Sequence, residues 1–226
     1  MEKRIILGVL GFVVLAFVLG VFLPALLVEP EPARDLPWQI EKTATGNTRV
    51  FGITLGESTL TEAERALRHT AEVTLFNAPG GQRVVEAYVD QVTLSGLSAK
   101  AVLGVDVPEA WLEPMYERGI RASRMGSGEQ KVTLAPEDLA KVRDLPVNSI
   151  TYMPSVNLSP EQVEKRFGVP AERRRETGDE PVEHWLYPGL GLDVAISERK
   201  KEVLQYVLPA DFERLTRPLQ DVPVVR

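Results

Sequence analysis

Two segments one hundred positions apart carry the same helix-starting text. Thr59 to Leu67 and Ser159 to Phe167 each open on a hydroxyl residue and place Glu62 or Gln162 three positions on. That spacing predicts a capping box, in which the hydroxyl accepts from a free helical N–H and the Glu or Gln reaches back to the cap. Ala63 with Leu67, and Val163 with Phe167, are four apart and share a helix face. Pro160 stands at the first helical position, where its missing N–H costs nothing. Leu158 and Val163 suit a hydrophobic staple. Gly168 and Pro170 end the second helix. The spacing predicts two short amphipathic helices.

Strand-like text follows each helix. Leu190, Leu192, Val194 and Ile196 alternate with small or polar residues, the period-2 pattern of a half-buried strand. Val182 to Tyr187 and Glu202 to Leu208 flank it. In the first half the strands expected are Glu72 to Phe76, Val84 to Val92 and Leu97 to Val105, with a turn at Ala78-Pro79-Gly80-Gly81. The chain thus reads as a helix plus a three-stranded meander, twice. The forty or so residues between are less regular. They hold a short or broken helix around Trp111 to Tyr116, a hairpin turn at Gly126-Ser127-Gly128, and a helix over Pro136 to Arg143 with Leu139 and Val142 inward.

Ahead of these units, Ile5 to Val28 carries no charged residue. At about 1.5 Å per residue, a helix that long covers a hydrocarbon core of about 30 Å with some tilt. Lys3 and Arg4 precede it, and Glu29 and Glu31 follow, which predicts a cytoplasmic N-terminus. A cleaved signal peptide would have a shorter apolar run and an A-x-A-like end, which Pro24 to Val28 lacks. The expected organisation is a transmembrane anchor over 1–28 and a Pro-rich acidic linker over 29–48. A first α+β unit over 49–148 and a second over 149–226 follow. The anchor predicts contact with the lipid bilayer through residues 5–28, and a single-pass protein of the inner membrane.

Composition excludes several chemistries. With no cysteine there is no disulfide, Cys-ligated zinc, iron–sulfur cluster or lipidated Cys. A net charge of -6 argues against nucleic-acid binding, which needs a basic face. His69 and His184 are the only imidazoles, and no nucleophile elbow accompanies them. No cofactor or metal is expected. Glu109, Glu113 and Glu117 share a face if a helix runs through Pro114, and read as a solvated face rather than an acid/base site. Gly126-Ser127-Gly128 and Gly189-Leu190-Gly191 lack the full phosphate-loop pattern and read as turns.

The second copy resembles the BamE (SmpA/OmlA) family of small envelope lipoproteins. The residues that carry this are Leu158 to Val163, then Phe167-Gly168-Val169-Pro170, then Trp185-Leu186-Tyr187. They are similar to a family pattern in which a helix ending in G-x-P precedes a W-x-Y strand. Ile53 to Leu67 looks like a degenerate first copy. The resemblance covers residues 150–208 well and 50–105 weakly. It implies the helix-and-meander unit shared with beta-lactamase inhibitor proteins, here in tandem, and a non-enzymatic adaptor. Family members are anchored through a Cys. This chain lacks one and carries the apolar run instead, which implies the periplasmic face of a bacterial inner membrane.

The expected function is protein binding or scaffolding in cell-envelope biogenesis, without catalysis and with an envelope protein as partner. The alternative is a carboxylate-dependent envelope enzyme, or a ligand-binding or inhibitor-type protein. A paired-carboxylate cleft would mark the enzyme, and an apolar or aromatic sheet face the adaptor. Candidate binding residues are Trp111 and Tyr116 in the irregular middle segment, Tyr187 beside the core-assigned Trp185, and the basic run Arg173, Arg174 and Arg175. For Tyr187 both a core and an exposed position stay open. The basic run reads either as a docking patch or as a solvated loop, since Glu172, Glu176, Asp179 and Glu180 flank it.

Overall fold

The computed structural model describes residues 34–197 and 199–225. Its strands are β1 (Glu41–Lys42), β2 (Thr48–Val50), β3 (Ile53–Thr54), β4 (Glu72–Asn77), β5 (Arg83–Leu94), β6 (Leu97–Val105), β7 (Arg121–Arg124), β8 (Gln130–Thr133), β9 (Val147–Pro154), β10 (Glu172–Arg175), β11 (Val182–Tyr187), β12 (Leu192–Ser197) and β13 (Val203–Val207). Its helices are α1 (Leu60–Leu67), α2 (Glu109–Glu117), α3 (Pro136–Arg143), α4 (Pro160–Phe167) and α5 (Glu213–Thr216).

Both capping boxes form. The Glu62 N–H donates to Thr59 Oγ1 at 3.2 Å while the Thr59 N–H donates to Glu62 Oε2 at 2.9 Å. At α4 the Gln162 N–H donates to Ser159 Oγ at 3.3 Å, and the Ser159 N–H to Gln162 Oε1 at 2.9 Å. The alternating segments are strands, and the turn at Gly126 to Gly128 joins β7 to β8. The helix around Trp111 runs through Pro114 unbroken.

The expected fold class, a membrane helix followed by two tandem units, is corrected. One antiparallel sheet of ten strands runs in the order β10-β11-β12-β13-β9-β6-β5-β4-β8-β7. The physical reason is β9, which the sequence reading left outside both meanders. It pairs with β13 on one side and β6 on the other, so the strands of both expected units share one ladder. A separate three-stranded hairpin layer, β1-β2-β3, lies outside that order.

The membrane assignment is corrected too. Among the described residues no helix is long and apolar enough to cross a membrane. The longest, α2, has 9 residues and rises about 14 Å against the roughly 30 Å a span requires. The stretch 5–28 on which the anchor was placed lies outside the described residues. A single-pass, inner-membrane placement therefore has no support in the structure.

The core lies between one face of the ten-stranded sheet and the layer formed by α1 to α4 with the β1-β2-β3 hairpin. Leu60, Ala63 and Leu67 of α1, Met115 of α2, Val142 of α3 and Val163 of α4 meet the inward residues of β4, β5, β6, β9 and β11 to β13 in one cluster. At its centre Phe51 stacks on Tyr152 of β9 (centroids 4.8 Å apart) and meets Tyr206 of β13 edge-on at 5.6 Å. Phe51 and Gly52 both have positive φ, 56° and 75°, in the two-residue turn between β2 and β3. Such turns suit the strand twist, but a bulky residue at positive φ is strained. Ring packing holds it there. Each aromatic pair adds about 0.5–1.5 kcal/mol beyond its buried area.

The substitution Phe51→Ala removes both ring contacts without relieving the turn. It is expected to lower the free energy of unfolding by about 3–5 kcal/mol, measured by urea denaturation. A loss under about 1 kcal/mol would mean that the ring does not hold the hairpin.

Candidate binding surface

Side chains alternate across a strand, so the ten-stranded sheet has a second face. Along β6, Ala99, Ala101, Leu103 and Val105 enter the core, which leaves Lys100, Val102 and Gly104 facing the other way. On that outer face Tyr88 stands opposite Val102, and Val102 opposite Thr151. Phe76 stands opposite Val84, and Lys100 opposite Met153. Val84 is 43% exposed, and Phe76, Tyr88, Val102 and Met153 are half-buried.

Among the described residues, the chain covers only one end of this face itself. Phe212 and Leu219, with Leu215 and Val222, pack on Leu186 of β11 and Val207 of β13. Arg174 fastens the segment by donating from Nη1 to the Leu219 carbonyl. The same segment closes the β10 edge: the Arg175 N–H donates to Pro223 O at 3.0 Å and the Val225 N–H to Arg173 O at 2.9 Å. The end formed by β4, β5, β6 and β9 keeps no such cover among the described residues.

Charges on the outer face are placed with partners. Tyr88 donates its hydroxyl proton to Asp90 at 2.7 Å, and Lys100 Nζ lies 3.0 Å from the same carboxylate. The Tyr88 hydrogen bond first, then Lys100, lowers the Asp90 pKa. Glu86 sits half-buried on the neighbouring row, and burial with the Glu129 charge pushes its carboxyl up. Near the covered end, His184 Nδ1 lies 2.8 Å from Asp193 Oδ2, and its Nε2 lies 3.6 Å from Glu176. Both ring nitrogens therefore face carboxylates rather than a nucleophile, the arrangement of an ion cluster and not of a general base.

Burial opposes charge on His184, but the hydrogen bond and charge of Asp193, with Glu176, outweigh it and raise the pKa above its ordinary value. A folded-state pKa above the unfolded one means that the native state binds more protons. The stabilisation is complete below the unfolded value and is lost as pH rises through the folded one. The stability advantage of the native chain over His184→Gln is accordingly expected to shrink between about pH 6 and about pH 8. Chemical denaturation across that range checks it. A constant difference would show that His184 titrates alike in the folded and unfolded chain.

The residues singled out in the sequence scatter. Trp111, 39% exposed, and Tyr116 lie on α2, which packs on β5. Tyr116 donates to Gln130 Oε1 at 2.8 Å and carries the Arg83 guanidinium 4.6 Å over its ring. Tyr187 is buried, donating to Gly168 O at 3.0 Å with Phe167 at 6.1 Å, which places it in the core. The three arginines alternate across β10 and form no single patch. Arg173 stacks 3.9 Å over Trp185 and lies 3.6 Å from Glu164. Arg174 pairs with Glu172 and binds the C-terminal carbonyls. Arg175 is exposed and pairs through its backbone. Glu113 pairs with Arg83 at 2.8 Å. Gly191 is a turn glycine at φ 65°, where a Cβ would meet Val207 O at 2.1 Å.

The outer-face residues Val84, Tyr88, Val102 and Met153 were not singled out in the sequence. Their signal was present: in Val84 to Asp90 the residues off the core register include a valine and a tyrosine where a solvated face would be polar throughout.

No protein-family model, curated protein or solved structure matches the chain. The BamE-like resemblance rests on the sequence motifs alone, because a mostly β domain of this kind is not diagnostic of that family.

Proposed function

We propose that the chain is a protein-binding module that uses the uncovered face of its sheet as the docking surface and performs no catalysis. The observation that carries this reading is the set of apolar and aromatic side chains on three cross-strand rows of the outer face: Phe76 with Val84, Tyr88 with Val102, and Met153 beside Lys100, with Thr74, Glu86 and Gly104 between the first row and the second. Antiparallel sheets tolerate one solvated face, but that face is ordinarily polar. Exposed apolar surface of this kind marks interaction sites. The chain's own segment from Phe212 to Val222 does at one end what a partner would do at the other: it lays apolar side chains on the outer face and satisfies a neighbouring arginine with carbonyls. Glu86 supplies a carboxylate that a partner's cation would bring back toward its ordinary pKa.

The enzyme alternative has a weaker basis. The carboxylates Asp35 and Glu41 line one cavity together, but they share it with Arg34 and Arg49, and Arg49 Nε lies 4.0 Å from Glu41. Carboxylates that share a cavity with two arginines do not form the bare carboxylate pair of a glycosidase-type site.

Photo-crosslinking residues placed at Tyr88 and Met153, with Ala140 on the exposed side of α3 as control, test the reading in the cells that make the protein. One protein is expected to be captured from both sheet positions and not from Ala140, and Val84→Glu is expected to abolish capture. Equal labelling from Ala140, or none from the sheet, would overturn it.

A further inference from the structure

A second site lies on the helix-covered side of the sheet. Trp38, Tyr152, Val156 and Leu158 line a cavity of about 350 Å³, with Lys165 and Arg166 of α4 at its margin. The volume falls in the range of small-ligand pockets. Three features set it apart from an ordinary surface groove.

The first is unpaired charge. Arg166 holds its guanidinium 4.1 Å over the Trp38 ring. Among the described residues neither it nor Lys165 forms an ion pair, whereas Arg173, Lys200 and Lys201 nearby are engaged with Glu164, Glu180 and Asn157. The two cations stand side by side against an apolar lining, with no carboxylate partner among the described residues. A position in the last turn of α4 favours positive charge through the helix dipole, but that does not explain an apolar cavity beside it.

The second is the Tyr152 hydroxyl. Tyr152 is 1% exposed and its Oη is buried with no hydrogen-bond partner. An unsatisfied buried hydroxyl ordinarily costs about 1–3 kcal/mol. The third is the cavity's construction. Tyr206 donates to Pro37 O at 2.9 Å, which anchors the strap that brings Trp38 into the cavity lining. That wall is held by the fold itself, which lowers the entropic cost of binding.

From these we infer that the Trp38–Tyr152 cavity binds a medium-chain fatty carboxylate, its alkyl chain on the Trp38, Val156 and Leu158 surface and its carboxylate beside Lys165 and Arg166. The site is separate from the sheet face proposed for protein docking and stands or falls without it.

Calorimetric titration of the full chain with decanoate, and with decan-1-ol as the neutral control, tests this. Decanoate is expected to bind with a dissociation constant on the order of 10–100 μM, and decan-1-ol at least about tenfold more weakly. The double substitution Lys165→Gln with Arg166→Gln, both exposed, is expected to weaken decanoate about tenfold and leave decan-1-ol unchanged. Bromodecanoate is expected to quench indole fluorescence in the native chain but not in Trp38→Phe. Equal affinity for acid and alcohol, an unaffected double variant, quenching that persists without Trp38, or no binding below about 1 mM would each overturn the assignment.

Discussion

Phe51 holds a left-handed backbone conformation in a β2–β3 turn, with its ring packed against two tyrosines. Those tyrosines belong to β9 and β13, the strands through which the two halves of the sheet meet. The same two residues extend the constraint outward. Tyr206 reaches the backbone of Pro37, and Tyr152 forms a wall of the cavity beside Trp38. A single aromatic cluster thus determines where the N-terminal strap runs, how the small hairpin sits on the core, and the shape of the ligand cavity. Its dependence on close ring packing follows from the way interiors forfeit attraction across even small gaps.

The ten-stranded sheet is covered unequally. Among the described residues, four helices and the small hairpin share its inner face in one core, whereas its outer face has only the segment from Phe212 to Val222 at one end. The two long edges differ in the same way. Backbone pairing with residues 223–225 closes β10, but β7 is fully exposed and carries Arg121 and Arg124. Charged side chains on an open edge oppose strand-to-strand association between copies. Among the described residues, then, the open edge is charged while the outer face of the sheet presents apolar side chains.

Much of the local structure was legible, because its causes are local. The caps at Thr59 and Ser159, the proline at the start of α4 and the alternation along β6 and β12 depend on neighbours within a few residues. The architecture was not legible where its causes lie far apart in sequence. Val147 to Pro154 alternates too weakly to identify itself, since Thr151 and Met153 on its outer face are neither plainly polar nor plainly buried. Its role as the joining strand appears only through pairing with β6 and β13. The turn at Phe51-Gly52 hid for the opposite reason, a large apolar residue standing where asparagine or aspartate is usual. His184 and Asp193 are nine positions apart and meet only through the β11–β12 register, so spacing alone could not join them. Arg173 to Arg175 read as a patch in one dimension, but a strand sends successive side chains to opposite faces.

The cover on the outer face also has a consequence during synthesis. Residues 209–222 leave the ribosome after every strand they shield. Until then Leu186 and Val207 stand uncovered, beside an apolar stretch that no described residue covers. Chaperone engagement and misassociation would concentrate in that interval, and a partner already present at the ribosome would meet its docking face in that same interval.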